Sequence, residues 1–403
     1  MDPSGVSRHW HRYIELLSRE TPVPTPRLGV TYVLPNGDRC RGVAQRGIDR
    51  LSLRRAPGSF VRTLPHASLE TDVAGHWRAG GMSTASLEPP VLAWLHRALR
   101  SEQVIGMARL PGGYVNESVA ITTDSGRYVL RRYRRDAGVE SASRTCAIEA
   151  ALARRLGRTA VPIAEVIAAD ASGTVAGQPL LLARYVDGVT LRAAVANVSG
   201  SAAEEIGRAA GTTLAAIGTV TFPRGGSFTG PDLVPSPEGM PGSLDEFVES
   251  CLRCGHAATI MTEGELAALR TLAARLAPAA ASAASARQLV HSDYNGKNLL
   301  ALQRGGRWSI SAVLDWEFAF SGSPLTDIGN MLRFSTSYPP GFASGFIAGY
   351  REAGGTLPPD WHEVSEALDL YALADFLTRS PAHPYFAKAV SLIRERLGRN
   401  GAA

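Results

Sequence analysis

The residues best suited to chemistry lie in one run, HSDYNGKN, where His291, Asp293 and Asn298 follow the order His-x-Asp-x-x-x-x-Asn. A second carboxylate, Asp315, comes after a short hairpin, with Glu317 and Asp327 close behind. Phosphoryl transfer needs this set. One Asp orients an attacking hydroxyl and takes its proton, while an Asn and another Asp hold the magnesium ions that bridge the phosphates of a nucleotide. Mg²⁺ prefers carboxylate, amide and water oxygens, so Asn298 and Asp315 are ligands of the right type. Taken singly, each is an ordinary turn residue. The ordered set is what points to catalysis.

Elements must hold these groups in place. The apolar runs between them read as strands at 288–290, 299–303 and 309–314, which puts each polar residue at a strand end or in the adjoining loop. Upstream, Val91, Leu92, Leu95 and Leu99 follow helical spacing over 89–99. Strands follow at 104–110, 119–123 and 127–133, then a helix over 140–156 and strands at 161–169 and 178–185. Together the strands make five, in an antiparallel sheet. From Thr190 the pattern is mainly helical, with helix starts marked by the pairs Ser201/Glu204, Ser243/Glu246 and Thr262/Glu265. The Pro/Gly-rich stretch 226–242 reads as a lid, a substrate loop or a surface connection. Further helices are expected over 341–352, 361–378 and 385–397.

HSDYNGKN, LDWEFAF and SGSPLTDIG resemble the catalytic and metal loops of the aminoglycoside phosphotransferase/choline-kinase-like family, which shares the protein-kinase fold. Ser323 departs from the Asp often found in that family's Gly-Asp-Pro. The resemblance covers about residues 90–400 and implies an α+β, two-lobe fold with a small five-stranded N-lobe and a mainly helical C-lobe. The divisions expected are 1–88 as an N-terminal extension of low order, 89–187 as the nucleotide-binding lobe, and 188–403 as the catalytic and acceptor-binding lobe. On this likeness Gly112 and Gly113 cover the nucleotide phosphates, with Asn116 and Ser118 as added donors. Pro-Gly-Gly between two strands is otherwise a plain hairpin. Arg131 pairs with the phosphates where the family carries Lys or Arg, and Glu149 orients it. Arg184 to Val186 form the hinge that meets the base. Asp293 is the catalytic base, His291 fixes the loop backbone, and Asp327 ties the loop to the next helix. Arg132, Arg134 and Arg135 are expected to be a solvated edge. Glu246, Glu249, Asp369 and Asp375 lie where a cationic acceptor could bind, although solvated helix faces also explain them.

The implied activity is that of a small-molecule kinase using ATP or GTP and Mg²⁺. It acts on a hydroxyl of an antibiotic such as an aminoglycoside, or of a metabolic amino alcohol or sugar. A non-catalytic nucleotide-binding protein is the reading from another class. A protein kinase is disfavoured by HSD in place of HRD, by DWE in place of DFG, and by a glycine loop that lacks Gly-x-Gly-x-x-Gly.

Bulk properties agree with this. The chain has 403 residues, 45% of them hydrophobic. It lacks an apolar run of about eighteen residues and an apolar leader, so a cytoplasmic protein is expected. Four cysteines are too few for a disulfide framework, and Cys251-x-x-Cys254 reads as two helical neighbours. The net charge of +5 is carried mostly by residues 1–90, with 12 Arg against 8 acids. The remainder is nearly balanced, which gives no case for nucleic acid. Lys297 and Lys388 are the two lysines; arginine supplies the other positive charges. Residues 1–88 do not share the resemblance, and Met82 is a plausible alternative start.

Overall fold

The computed structural model describes residues 31–33, 39–43, 52–54, 87–100, 102–110, 116–134, 139–196, 198–236 and 242–401. The chain divides into two units, Glu20–Arg78 and the remainder. In the first, β1 (Thr31–Val33), β2 (Arg39–Val43) and β3 (Ser52–Arg54) form an antiparallel sheet in that order. The glycine pair Gly112–Gly113 lies outside the described residues.

Period-two alternation builds the principal sheet of the larger unit. It contains β4 (Val104–Arg109), β5 (Glu117–Thr123), β6 (Arg127–Arg132), β7 (Val166–Asp170) and β8 (Leu180–Arg184), in the antiparallel order β4-β5-β6-β8-β7. Val119 and Ile121 on β5, and Tyr128 and Leu130 on β6, turn to one face. There they pack with Val91 and Leu95 of α1 (Pro89–Ala98). On the other face, Leu181 and Ala183 meet Cys146 and Ala150 of α2 (Val139–Leu156). Alternation also decides the two arginines. Arg131 points to the α2 face and Arg132 to the α1 face. Arg132 is buried and bonds Glu88 at 2.8 Å, so it is not part of a solvated edge. Arg134 is exposed as expected, and Arg135 is outside the described residues. The expected strand at 161–169 begins later, at Val166.

The rest of the unit is mainly helical. It comprises β9 (Val189–Thr190), α3 (Leu191–Ala196), α4 (Ser201–Gly218), β10 (Gly226–Ser227), α5 (Leu244–Cys254) and α6 (Glu263–Ser282). Then come β11 (Gln288–Val290), β12 (Leu299–Arg304), β13 (Arg307–Val313), β14 (Phe320–Gly322), α7 (Leu325–Leu332), α8 (Phe342–Glu352), α9 (Trp361–Phe376) and α10 (Pro384–Gly401). Two three-stranded sheets, β13-β12-β9 and β10-β14-β11, flank the HSDYNGKN loop. The stretch 226–242 is thus partly built in. β10 pairs with β14, and the turn after it closes through Thr229 N–H to Val234 at 3.0 Å and Ser236 N–H to Ser227 at 2.7 Å. Its described part is anchored by these bonds.

One of the three expected capping boxes forms. Thr262 and Glu265 satisfy each other's backbone N–H groups at the start of α6. Ser201 sits inside α4, because Gly200, at φ 58°, takes the cap position. Ser243 caps α5 without a side-chain bond to the helix backbone.

α4 and α8 cross at glycines. A Cβ on Gly207 or Gly211 would lie 2.2 or 2.0 Å from the carbonyls of Phe342 or Phe346. On α8, a Cβ on Gly345 or Gly349 would lie 2.1 Å from the carbonyls of Glu204 or Arg208. Each helix carries Gly-x-x-x-Gly, and the two backbones touch where a side chain would stand. This crossing fixes α4, whose Ala210 carbonyl accepts the Tyr294 hydroxyl at 2.8 Å from inside HSDYNGKN. Gly211→Ala is expected to lower stability by about 1–3 kcal/mol or more through overpacking. Gly398→Ala, with open space around it, should be neutral or gain about 0.4–1 kcal/mol. Urea midpoints of the two variants check this.

Candidate active site

The HSDYNGKN loop leaves β11 and is held from beneath by α7. The buried Asp327 carboxylate accepts the N–H groups of His291 and Ser292, each at 2.8 Å. Burial nonetheless pushes the Asp327 carboxyl up to about 7, against the pull of those two donors. Asn330 of α7 donates to the Ser292 carbonyl at 3.2 Å. Ser292 sits at φ 71°, a left-handed conformation that costs a non-glycine residue about 1–3 kcal/mol and that the surrounding bonds enforce. Asp327→Asn retains one acceptor oxygen and turns an amide toward the other N–H. We expect it to cost about 1–3 kcal/mol of stability and to remove activity, readable as a lower urea midpoint with a matching loss of turnover.

His291 is fully buried and locks the loop from within. Its Nε2 meets the Leu314 carbonyl at 2.8 Å, and its Nδ1 accepts the Asp293 N–H at 3.2 Å. Burial lowers its pKa, so the ring is neutral with its proton on Nε2. It bonds main chain on both sides, which makes it a clamp between the loop and the residue preceding Asp315.

Asp293 has both carboxylate oxygens engaged. Asn295 Nδ2 donates to Oδ1 at 2.7 Å, and Asn298 Nδ2 donates to Oδ2 at 2.7 Å and to the Asp293 carbonyl at 2.9 Å. Because its nitrogen is committed to Asp293, the Asn298 side-chain oxygen is left for another partner. Burial raises the Asp293 carboxyl above its usual range, opposed by His291. That makes it a stronger proton acceptor than a solvated aspartate.

Arg131 reaches across from β6. It meets Glu149 of α2 at 3.4 Å, Asp315 at 2.6 Å and Glu317 at 3.3 Å. Glu149 is further held by the Tyr133 hydroxyl and by the Trp316 N–H at 3.0 Å. Asn116, next to the expected glycine loop, donates to Glu317 at 2.9 Å. Asp315 takes φ 67°, a second strained non-glycine residue. Three carboxylates thus face one guanidinium. The shortage of positive charge shows in Glu317, pushed up to about 8 by burial and by Asp315, and in Glu149, raised chiefly by burial.

A divalent cation fits this environment. Asp315 and the Asn298 oxygen are hard donors, and excess negative charge surrounds them. Among the described residues no group of three or more His, Cys, Asp or Glu could hold a metal. Mg²⁺ takes one or two protein ligands and shares the rest with phosphates and water, and Asp315 with Asn298 is a pair of that kind.

Among the other predicted residues, Ser118 lies on β5 opposite Arg131. The Arg184 N–H bonds the Glu165 carbonyl at 2.8 Å, and its exposed side chain bonds the Glu165 carboxylate. Tyr185 N–H bonds Arg127 at 2.9 Å. Those two N–H donors are therefore already taken by main-chain carbonyls. Asn295 and Tyr133 were not foreseen. Asn295 carried a signal, an amide two residues after an aspartate in a turn, whereas Tyr133 follows from β6 alternation once Arg131 is oriented.

A five-stranded sheet over a helical region, with an arginine–carboxylate cluster facing an Asp–Asn loop, defines a kinase-like phosphotransferase. The chain belongs to the phosphotransferase enzyme family, whose model matches residues 106–367. No curated protein matches it. Among solved structures, it is similar to the aminoglycoside phosphotransferase APH(4)-Ia, with 20% identity and a TM-score of 0.56, over 78% of this chain and 99% of that one. A putative aminoglycoside phosphotransferase from Ralstonia eutropha gives 18% identity and TM-score 0.55, over 76% and 95%. A putative fructosamine-3-kinase from Thermobifida fusca gives 18% identity and TM-score 0.52, over 75% and 97%. At such identities the likeness carries the fold. Among the described residues no helix is long and apolar enough to cross a membrane.

Proposed function

We propose that this phosphotransferase moves the γ-phosphate of ATP or GTP to a hydroxyl of a small acceptor. The observation that carries the reading is the pairing of Asp293 with Asn298 in one rigid loop, opposite Asp315 and Arg131. Asp293 receives the acceptor proton. Asn298 and Asp315 would hold Mg²⁺, which when bound neutralises charge on the transferring phosphate. Arg131, oriented by Glu149, meets the nucleotide phosphates, with Ser118 beside them and Val186 near the base; covering the phosphates is the role proposed for Gly112 and Gly113. His291 and Asp327 keep the loop in register. In this reading residues 89–187 form the nucleotide lobe and 188–403 the acceptor lobe. Catalysis of this kind rests on positioning and charge stabilisation.

Structures of similar phosphotransferases include complexes with hygromycin B and with kanamycin, so an aminoglycoside-type antibiotic is one acceptor to test; a sugar or an amino alcohol is another. The test is nucleotide consumption with ATP and GTP over hydroxyl compounds, including aminoglycosides, macrolides, choline-like amines and sugars. Mg²⁺-dependent consumption stimulated by an acceptor is expected. Nucleotide binding with no stimulation by any acceptor would favour a non-catalytic nucleotide-binding protein.

A further inference from the structure

Two of the 42 basic residues in this chain are lysines, and both converge on one ring. Lys297 lies in the HSDYNGKN loop between Asp293 and Asn298. Its ammonium is 2.6 Å from the Tyr385 hydroxyl and 5.1 Å from the ring centroid. Lys388, one turn along α10, lies 5.3 Å from the same centroid. Both lysines are exposed. Tyr385 stacks on Phe376 with centroids 5.2 Å apart and 15° between planes, and Arg333 approaches Phe376 at 5.8 Å. The result is an aromatic wall carrying positive charge beside the catalytic loop. In an arginine-rich chain, a flexible point charge has been placed at these two positions in place of a planar fork.

Of the acids expected to greet a cationic acceptor, Glu246 is exposed on α5, and the other three are committed to arginines. Asp369 is buried between Arg333, at 2.9 and 2.6 Å, and Arg396. Asp375 is buried against Arg379 at 3.7 Å. Glu249 bonds Arg270 at 2.7 Å. Asp369 is thus shared by two arginines and Asp375 faces one, while the exposed lysines bring positive charge to Tyr385.

We propose that the acceptor of this phosphotransferase bears an anionic group, a carboxylate or a phosphate, which Lys297 and Lys388 hold above Tyr385 while its hydroxyl reaches Asp293. This deepens the proposed function and rests on it. A polycationic acceptor would meet like charge at this ring.

Ligand-observed NMR titration of the full chain without nucleotide tests the charge preference in two matched sets. One comprises glucuronate, glucose 6-phosphate, glucose and glucosamine; the other comprises glycerate, glycerol 3-phosphate, glycerol and serinol. In at least one set an anionic member should bind more tightly than the neutral one, with the amine weakest. Which anion leads separates carboxylate from phosphate recognition. Lys297→Gln and Lys388→Gln should each reduce the anionic-to-neutral affinity ratio about fivefold, the scale of one exposed ion pair. The ratio is read within one variant, so partial unfolding does not move it. Tightest binding of the amines, no binding by any anionic member, or a ratio unchanged in both variants overturns the inference. Each of these leaves the phosphotransferase reading intact. That reading falls separately, if no acceptor of any charge raises Mg²⁺-dependent nucleotide consumption.

Discussion

Asp293→Asn should lower kcat for phosphoryl transfer by about 10²–10⁴-fold, the worth of a positioned general base, while nucleotide affinity stays close to wild type. The geometry gives both halves of that expectation. Asp293 bonds Asn295 and Asn298 and lies outside the Arg131 cluster, so its charge is not among those facing the nucleotide phosphates. Asparagine keeps the shape and removes the basic oxygen. The amides of Asn295 and Asn298 then lose a charged acceptor, a local cost that a thermal melt would register separately from catalysis. Single-turnover transfer alongside a fluorescent-nucleotide titration separates the two effects. A variant that transfers phosphate at the wild-type rate would remove Asp293 from the mechanism.

Asp315→Asn should act on the other half, weakening Mg²⁺-dependent nucleotide binding about 100-fold. Asparagine is the informative replacement because it tolerates the left-handed backbone at φ 67° better than alanine does. Loss of affinity then reports the missing carboxylate and not a relaxed loop. The substitution also leaves Arg131 with two carboxylates in place of three. Nucleotide binding measured without Mg²⁺ should therefore change little or improve. Titrations at graded Mg²⁺ read this directly, and an unchanged Mg²⁺ dependence would count against Asp315 as a ligand.

What the sequence made legible follows from how local each feature is. His291, Asp293 and Asn298 lie within eight residues of one loop, and their mutual bonds span few positions. The reach of Asp327 back to the loop follows from the family resemblance. The Arg131–Glu149 contact required the family resemblance, since nothing in β6 or α2 alone names a partner. Arg132 was misplaced because charge suggested solvent, whereas strand alternation turns it inward to Glu88. Asn116 and Glu317 lie two hundred positions apart, beyond any local pattern. The reciprocal Gly-x-x-x-Gly pairs of α4 and α8 were present in the text of the chain. Their meaning needed both helices side by side. Two of the expected capping boxes failed for local reasons, one because glycine at φ 58° took the cap. Glu249 and Asp369 were legible as residues and not as partners, since their arginines come from other elements.

The central claim is that Asp293, Asn298 and Asp315 together direct a phosphoryl group from a nucleotide to an acceptor hydroxyl. Phosphorus NMR of wild type with Mg²⁺, nucleotide and a stimulating acceptor tests it most directly, with Asp293→Asn run beside it. The wild type should give a new phosphomonoester resonance that grows in step with nucleoside diphosphate, and the variant should give none over the same time. Nucleoside diphosphate accompanied solely by inorganic phosphate, or an equal phosphomonoester signal from both proteins, would contradict it.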